Sequence, residues 1–342
     1  MEVSRKALKI SLTRPRFAYF SFQTIRNQKK AAQLRLEWEK KNIHVPPFMI
    51  VSVTKRCNLR CKGCYMRAQN RSSDSELTAD RLKALMQEAS ELGISFVVFL
   101  GGEPLLRPEI LDITEGFKHI IFPVFTNGLL IDDSIIGKLK RQKNVIAVIS
   151  IEGHTKETDQ RRGEGVSRGV YRAMDKLKDL FFAVSITMTK KNFDVVTSDH
   201  FIQSLLNKGC SLFFFVEYIP IEKGTEELVI SDEQKRRLSS LMKGFRDRYN
   251  GLFVDFPGDE EEFGGCLSSG RGFLHISPEG NLEPCPLAPF SDTNINNVSL
   301  KEALNSEFLK KIRESSEHLS EAEGGCALWN NRDWTLSLLE PR

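Results

Sequence analysis

From residue 48 onward, short apolar runs alternate with stretches whose apolar positions recur every three or four residues. This is the pattern of β-strands joined by amphipathic helices, and so of a parallel α/β sheet. The apolar runs predict strands over 48–54, 95–100, 120–126, 145–151, 182–188 and 211–219. Helical spacing predicts helices over 78–92, 108–118, 132–142, 167–181 and 194–208, with Thr78 as a start signal and Gly93 and Gly209 as stops. A last helical stretch, 231–247, closes this unit. Beyond it the texture changes: 251–266 is rich in Gly, Pro and acids, 277–281 reads as a hairpin turn, and 299–313 as a helix. The pattern divides the chain into a basic N-terminal helical segment (1–47), a core of βα units (48–250) and a small α+β part (251–342). Parallel strands with right-handed crossovers build either an open doubly wound sheet or a barrel, and strand count alone does not choose.

At 342 residues the chain exceeds the usual size of one hydrophobic core, in keeping with this division. Its 49 basic and 45 acidic residues leave a net charge of only +4, so no nucleic-acid partner is expected. The charge is uneven: residues 1–42 hold 11 Lys or Arg against 3 Glu, and Phe17, Tyr19, Phe20 and Phe22 lie among these cations. Such a segment either lies on an anionic membrane surface, through residues 1–44, or packs on the barrel with its charges facing solvent; packing is the favoured reading. No apolar run approaches a membrane span and no signal-peptide core is present, so a cytoplasmic location is expected, with peripheral membrane contact as the variant. Seven cysteines, an odd number, read better as metal or redox ligands than as a disulfide framework.

Three of them share one loop: Cys57, Cys61 and Cys64, spaced C-x3-C-x2-C directly after the first strand. Three thiolates so placed can hold a cubane cluster while leaving one iron without a protein ligand. Zinc would need a fourth Cys or His to close its tetrahedron, and the nearest histidine, His44, lies 13 residues before Cys57. Three unrelated cysteines are the remaining reading. Every other distinctive motif also follows a predicted strand, where parallel α/β architectures build their sites. Gly101-Gly102-Glu103-Pro104 follows the second, Thr126-Asn127-Gly128 the third and Ser150-Ile151-Glu152-Gly153 the fourth, with Arg161-Arg162-Gly163 shortly after.

On these residues, 48 to about 225 resemble the core of a radical S-adenosylmethionine (SAM) enzyme. The resemblance implies a partial (β/α)6 TIM-type barrel, and so selects the barrel. It implies a [4Fe–4S] cluster on Cys57, Cys61 and Cys64 whose open iron is chelated by SAM. It further implies that Gly101, Gly102, Glu103 and Pro104 hold the SAM amino group, with Asn127 and Glu152 in the same cofactor pocket. Ser150 and one of Arg161 or Arg162, of which one is expected to point inward, would contact its ribose or carboxylate, and Tyr65 would lie near the adenine. A low-potential donor of the flavodoxin or ferredoxin kind is the implied electron source. One-electron cleavage of SAM then yields a 5′-deoxyadenosyl radical that abstracts hydrogen from substrate.

Cys266, Cys285 and Cys326 form a second set, and Cys266-x13-Gly280-x4-Cys285 resembles the opening of the SPASM/twitch extension. The truncated, twitch-like form is the better match, implying a second, auxiliary iron–sulfur cluster; buried cysteines without a ligand role are the alternative. Cys210, between Gly209 and an apolar strand, reads as core. The Asp259–Glu262 run reads as a solvated loop, and Glu217 and Tyr218, ending a strand, as candidate substrate contacts. The expected substrate is a peptide or protein side chain. Alternatives are a small-molecule or lipid-linked intermediate and, in another class, an iron–sulfur electron carrier or sensor without SAM chemistry.

Overall fold

The computed structural model describes residues 15–71, 75–320 and 326–339. Its strands are β1 (Phe48–Ser52), β2 (Phe96–Leu100), β3 (Phe122–Thr126), β4 (Val145–Ile151), β5 (Ala183–Met188), β6 (Leu212–Glu217), β7 (Leu252–Phe256), β8 (Phe273–Ile276) and β9 (Leu282–Glu283). They form one sheet in the order β7-β6-β5-β4-β3-β2-β1-β8-β9, parallel throughout except for β9 on β8. A doubly wound sheet reverses its strand order at a switch point. Here β1 to β7 follow one another without reversal, the order of a barrel wall.

The sheet is curled. Phe125 on β3 and Phe214 on β6 are three strand spacings apart, roughly 14 Å along a flat sheet, yet their ring centroids lie 5.5 Å apart. The concave face holds a small apolar cluster of Ile121, Ile146, Val148 and Ala183 with Phe96, Phe125 and Phe214 packed on it. Alternate residues point outward into the main core: Phe99, Phe122, Val184, Phe213 and Phe215, all at most 1 % exposed. This period-two division is why the strands were readable as apolar runs: both faces are covered.

The helices are α1 (Pro15–Glu39), α2 (Tyr65–Ala68), α3 (Ala79–Leu92), α4 (Ile110–Glu115), α5 (Asp133–Arg141), α6 (Thr155–Arg162), α7 (Val166–Leu177), α8 (Phe193–Val196), α9 (Asp199–Asn207), α10 (Asp232–Arg248), α11 (Leu300–Ala303), α12 (Glu307–Glu314), α13 (Ala327–Asn330) and α14 (Arg332–Ser337). Their starts obey local chemistry: Thr78, Asp132, Ser198, Ser231 and Ser299 each cap a helix by accepting a backbone N–H. α3 ends on Gly93 in the left-handed region, as its sequence predicts. The single helices expected over 194–208 and 299–313 are each broken in two, at Ser198 and at Ser306, which cap the second halves.

Two elements depart from expectation more. The segment 251–266 contains β7, which extends the parallel sheet past residue 250, and β8 then pairs with β1 on the opposite edge. α6 was not predicted. Residues 24–39 of α1 dock on the barrel: Arg35 Nη1 donates to Gly93 O at 2.6 Å and Ser95 Oγ to Gln28 Oε1 at 2.7 Å. That is the packed arrangement; residues 1–14 of the basic segment lie outside the described residues. Among the described residues, no helix is long and apolar enough to cross a membrane.

Candidate functional site

The three-cysteine loop leaves β1 over the carboxyl ends of its neighbours, held by backbone contacts. Thr54 Oγ1 and Lys55 N both donate to Glu76 Oε1, at 2.8 and 2.9 Å, fixing the start of the loop. Gly102 N donates to Thr54 O at 2.7 Å and Glu103 N to Arg56 O at 2.8 Å. Gly101 has φ +141°, and a Cβ there would overlap the Thr54 carbonyl oxygen; at Gly102 it would overlap that of Arg56. The paired glycines therefore let the loop after β2 lie against the backbone of the cysteine loop. Farther on, Lys62 N donates to Arg161 O at 2.8 Å and Gly63 N to Glu222 Oε2 at 2.7 Å.

Cys57 is exposed, and Cys61 and Cys64 are half-buried. Partial burial raises the Cys57 thiol, a hydrogen bond from Leu59 N opposes this, and the nearby Cys61 and Cys64 raise it further. Burial likewise raises Cys61, opposed by Arg162 and Arg161. Two guanidiniums thus favour the thiolate, the form that ligates metal. Among the described residues, no three His, Cys, Asp or Glu side chains stand at the spacing a single ion requires.

Glu103 is 1 % exposed and fully engaged: Oε1 accepts from Thr126 Oγ1 at 2.7 Å and Leu105 N at 3.0 Å, and Oε2 from Asn127 N at 2.8 Å. Burial raises its carboxyl despite these bonds. It works as a strut joining the ends of β2 and β3. Asn127 continues the link, its Nδ2 donating to Asn58 Oδ1 at 2.7 Å beside Cys57. Pro104 is buried in the turn that follows.

Glu152, just past β4, gathers both arginines of α6. Its Oε1 accepts from Arg161 Nη1 at 2.7 Å and from Arg162 Nε and Nη2 at 2.8 and 2.5 Å. The expectation that one of the two points inward is thus corrected: both do, because adjacent residues at the last turn of α6 reach one carboxylate from two sides. Burial would lower the Arg162 guanidinium, but Glu152 and Cys61 outweigh it and raise it. Glu152 Oε2 and Arg161 Nε are buried without a partner. Ser150, half-buried, lies beside Ser185 in the sheet.

Tyr65 opens α2, and its hydroxyl meets Ser52 at the end of β1; burial, then Cys64, raise it. Tyr218 lies under the cysteine loop, bonded to Thr225 Oγ1 at 2.7 Å, so close that a Cβ at Gly63 would overlap its ring. Glu217 points to the outer face, 3.6 Å from Lys235, away from this mouth. Cys266, Cys285 and Cys326 are buried on three separate loops, and Cys210 is core. Cys266 Sγ donates to Ser268 Oγ at 3.2 Å, and Leu287 N donates to Cys285 Sγ at 3.4 Å. Cys326 immediately precedes α13 without a side-chain cap, while Gly324 and Gly325 before it lie outside the described residues. The site's least expected members are Ser52, His275, Glu283 and Arg71, a buried polar chain between the two cysteine sets. A histidine inside the apolar run Phe273–Ile276 was the available signal.

Residues 51–193 match the Radical SAM superfamily, and the curled parallel sheet is of that family's partial-barrel type. The chain carries a radical SAM domain over these residues. It is 26 % identical over 307 residues to the AdoMet-dependent heme synthase of Methanosarcina barkeri, covering 80 % of this chain and 86 % of that protein. The Mycofactocin maturase MftC of Mycolicibacterium smegmatis is 25 % identical over 324 residues, 85 % of this chain and 80 % of the relative. In fold it is similar to Streptococcus suis SuiB bound to S-adenosylmethionine, with a TM-score of 0.67 at 19 % identity, over 86 % of this chain and 73 % of that one. The family implies a [4Fe–4S] cluster and SAM.

Proposed function

We propose that Cys57, Cys61 and Cys64 hold the [4Fe–4S] cluster and that SAM binds among Gly101–Pro104, Asn127, Ser150, Glu152 and the two arginines, with Tyr65 at its edge. The residues fit these groups. Three thiols on one loop form the donor set, the guanidiniums of Arg161 and Arg162 oppose the rise that burial causes at Cys61, and the orphaned Glu152 Oε2 and Arg161 Nε offer an acceptor and a donor of the charges an amino-acid moiety needs. That meeting of the cysteine loop with the Glu152–Arg161–Arg162 cluster is the observation that carries the reading. A cluster bound there would supply the one electron that breaks the C5′–S bond of SAM, giving methionine and a 5′-deoxyadenosyl radical. The chain's part is to hold the loop rigid through Gly101, Gly102 and Glu103, to present the paired charges, and to keep water from the reacting centre with the apolar concave wall. A flavodoxin- or ferredoxin-like carrier is the proposed electron donor.

We further propose that Cys266, Cys285 and Cys326 ligate a second, twitch-type cluster, and that the substrate is a peptide or protein side chain. The Cys266-x13-Gly280-x4-Cys285 spacing supports the cluster; similarity to a maturase over most of the chain supports the peptide substrate, as does the fold shared with SuiB, whose structures include one bound to its precursor peptide SuiA. The heme synthase relative favours a small-molecule substrate as the second reading. Reduced, anaerobically reconstituted protein should turn SAM into 5′-deoxyadenosine, and Cys57→Ala/Cys61→Ala/Cys64→Ala should abolish this; no deoxyadenosine from wild type refutes the assignment. Deuterium appearing in that product from a deuterated peptide pool supports the peptide reading, and deuterium from a deuterated metabolite extract the small-molecule one.

A further inference from the structure

The segment behind Cys64 and the loop that carries Cys285 are joined by buried charges. α2 begins directly after Cys64, and Arg71 follows α2. The Arg71 guanidinium grips Glu283 of β9 with two prongs, Nη1 to Oε1 and Nη2 to Oε2, both at 2.8 Å, and Nη1 also reaches Glu279 Oε2 at 3.3 Å. The Arg71 and Glu283 side chains are 9 % and 1 % exposed. Beside them Gln69 Nε2 donates to the Pro286 carbonyl at 2.6 Å, while its Oε1 accepts from Arg71 Nε at 3.1 Å. Glu283 lies two residues before Cys285 and Pro286 directly after it, so both contacts hold that loop to the segment that follows Cys64. On its other side Glu283 Oε2 pairs with His275 Nδ1 at 2.9 Å, and His275 Nε2 with Ser52 Oγ at 2.8 Å, where the Tyr65 hydroxyl also meets Ser52. The contacts close a ring from β1 through β8 and β9 to the helix behind Cys64.

A buried ion pair is a poor device for stability alone, because desolvating two charges offsets much of their attraction and an apolar pair of like volume often serves as well. What the forked pair gives is geometry: two parallel N–H···O bonds fix distance and angle together. The first cysteine loop has its own supports at Gly102, Glu103 and Arg161, independent of Arg71. The Cys285 loop is the partner that Arg71 places.

We propose that Arg71 is a positioning residue that couples the two cysteine sites, aiming the Cys285 loop at its iron from the segment that follows Cys64. The inference rests on the reading of Cys266, Cys285 and Cys326 as ligands of a second cluster. Partners just outside a ligand set commonly contribute about 10- to 100-fold to metal affinity. Full-length wild type, Arg71→Met, Arg71→Lys and Arg71→Met/Glu283→Met are reconstituted anaerobically with iron and sulfide, then assayed for iron, EPR signal and circular dichroism. Arg71→Met loses about half the iron and keeps the EPR signal of the first site. The double variant, which fills the same space without charge, folds and still loses that iron; Arg71→Lys, which keeps charge without the fork, recovers part of it. Two clusters in wild type and also in Arg71→Met overturn the coupling alone. Full iron in the double variant does the same, since the pair would then only fill space. Iron for one cluster in wild type overturns the second site and the coupling with it.

Discussion

Asp255 is a buried carboxyl beside two others. Burial, then Asp259 and Glu217, push it up to about 7, and its Oδ1 has no partner. The folded value exceeds the unfolded 3.8, so the stability it contributes is present below about pH 4 and is lost as pH rises through about 7. Wild type should therefore melt at a lower temperature at about pH 8 than at about pH 5, and Asp255→Asn should flatten that difference in a thermal melt; equal slopes would mean the carboxyl is not the titrating group. The run 259–262 read as solvated loop because four acids in a row usually are. In the structure Arg246 Nη2 donates to both carboxylate oxygens of Asp259 at 2.6 Å, and Glu260 is buried. Charge in sequence tells that a group seeks water or a partner, and only the fold tells which. The same blindness hid Arg71 and Glu283. Gly101 and Gly102, by contrast, were legible as a backbone close approach, although what they approach, the cysteine loop itself, was not. Gly102→Ala should destabilise the protein by about 1–3 kcal/mol in denaturant titration, since the obstacle is backbone that cannot swing aside.

At the scale of elements, what was legible followed the strength of the local pattern. The six core strands carry apolar residues on both faces and stood out. α6 did not, because Thr155–Arg162 has no apolar stripe and buries only Thr158. It is held instead by charge, through Arg161 and Arg162 on Glu152. Removing that carboxylate leaves two largely covered guanidiniums without their counter-charge, so Glu152→Ala should cost about 3–5 kcal/mol. Glu152→Gln, keeping an acceptor without charge, should cost less. A melt that ranks the two equally would show that α6 docks by other means. β7 was hidden for a different reason. Its alternation is only five residues long and runs straight into the acidic turn, so the composition of the neighbourhood outweighed the period.

Over the whole molecule, the pairing of β8 with β1 has no local signature at all: more than 220 residues separate Ser52 from His275, and nothing in either strand names its partner. Yet that pairing decides how the C-terminal third relates to the rest. Past residue 250, β7 covers the free edge of β6 and β8 that of β1, and one apolar core runs from Val45 to Leu328. A chain cut at 250 would expose two long parallel edges, which invite association with other chains. The tryptophans allow a direct measurement, because Trp38 lies in α1 while Trp329 and Trp334 lie in α13 and α14, all outside 48–250. Their fluorescence reports on the two ends, and far-ultraviolet circular dichroism reports mainly on the βα core. If the shared sheet makes the parts one cooperative unit, the two signals should fall together in a urea titration. Fluorescence that changes at clearly lower urea than circular dichroism would instead mean that the terminal parts open as separate units on a core that stands by itself.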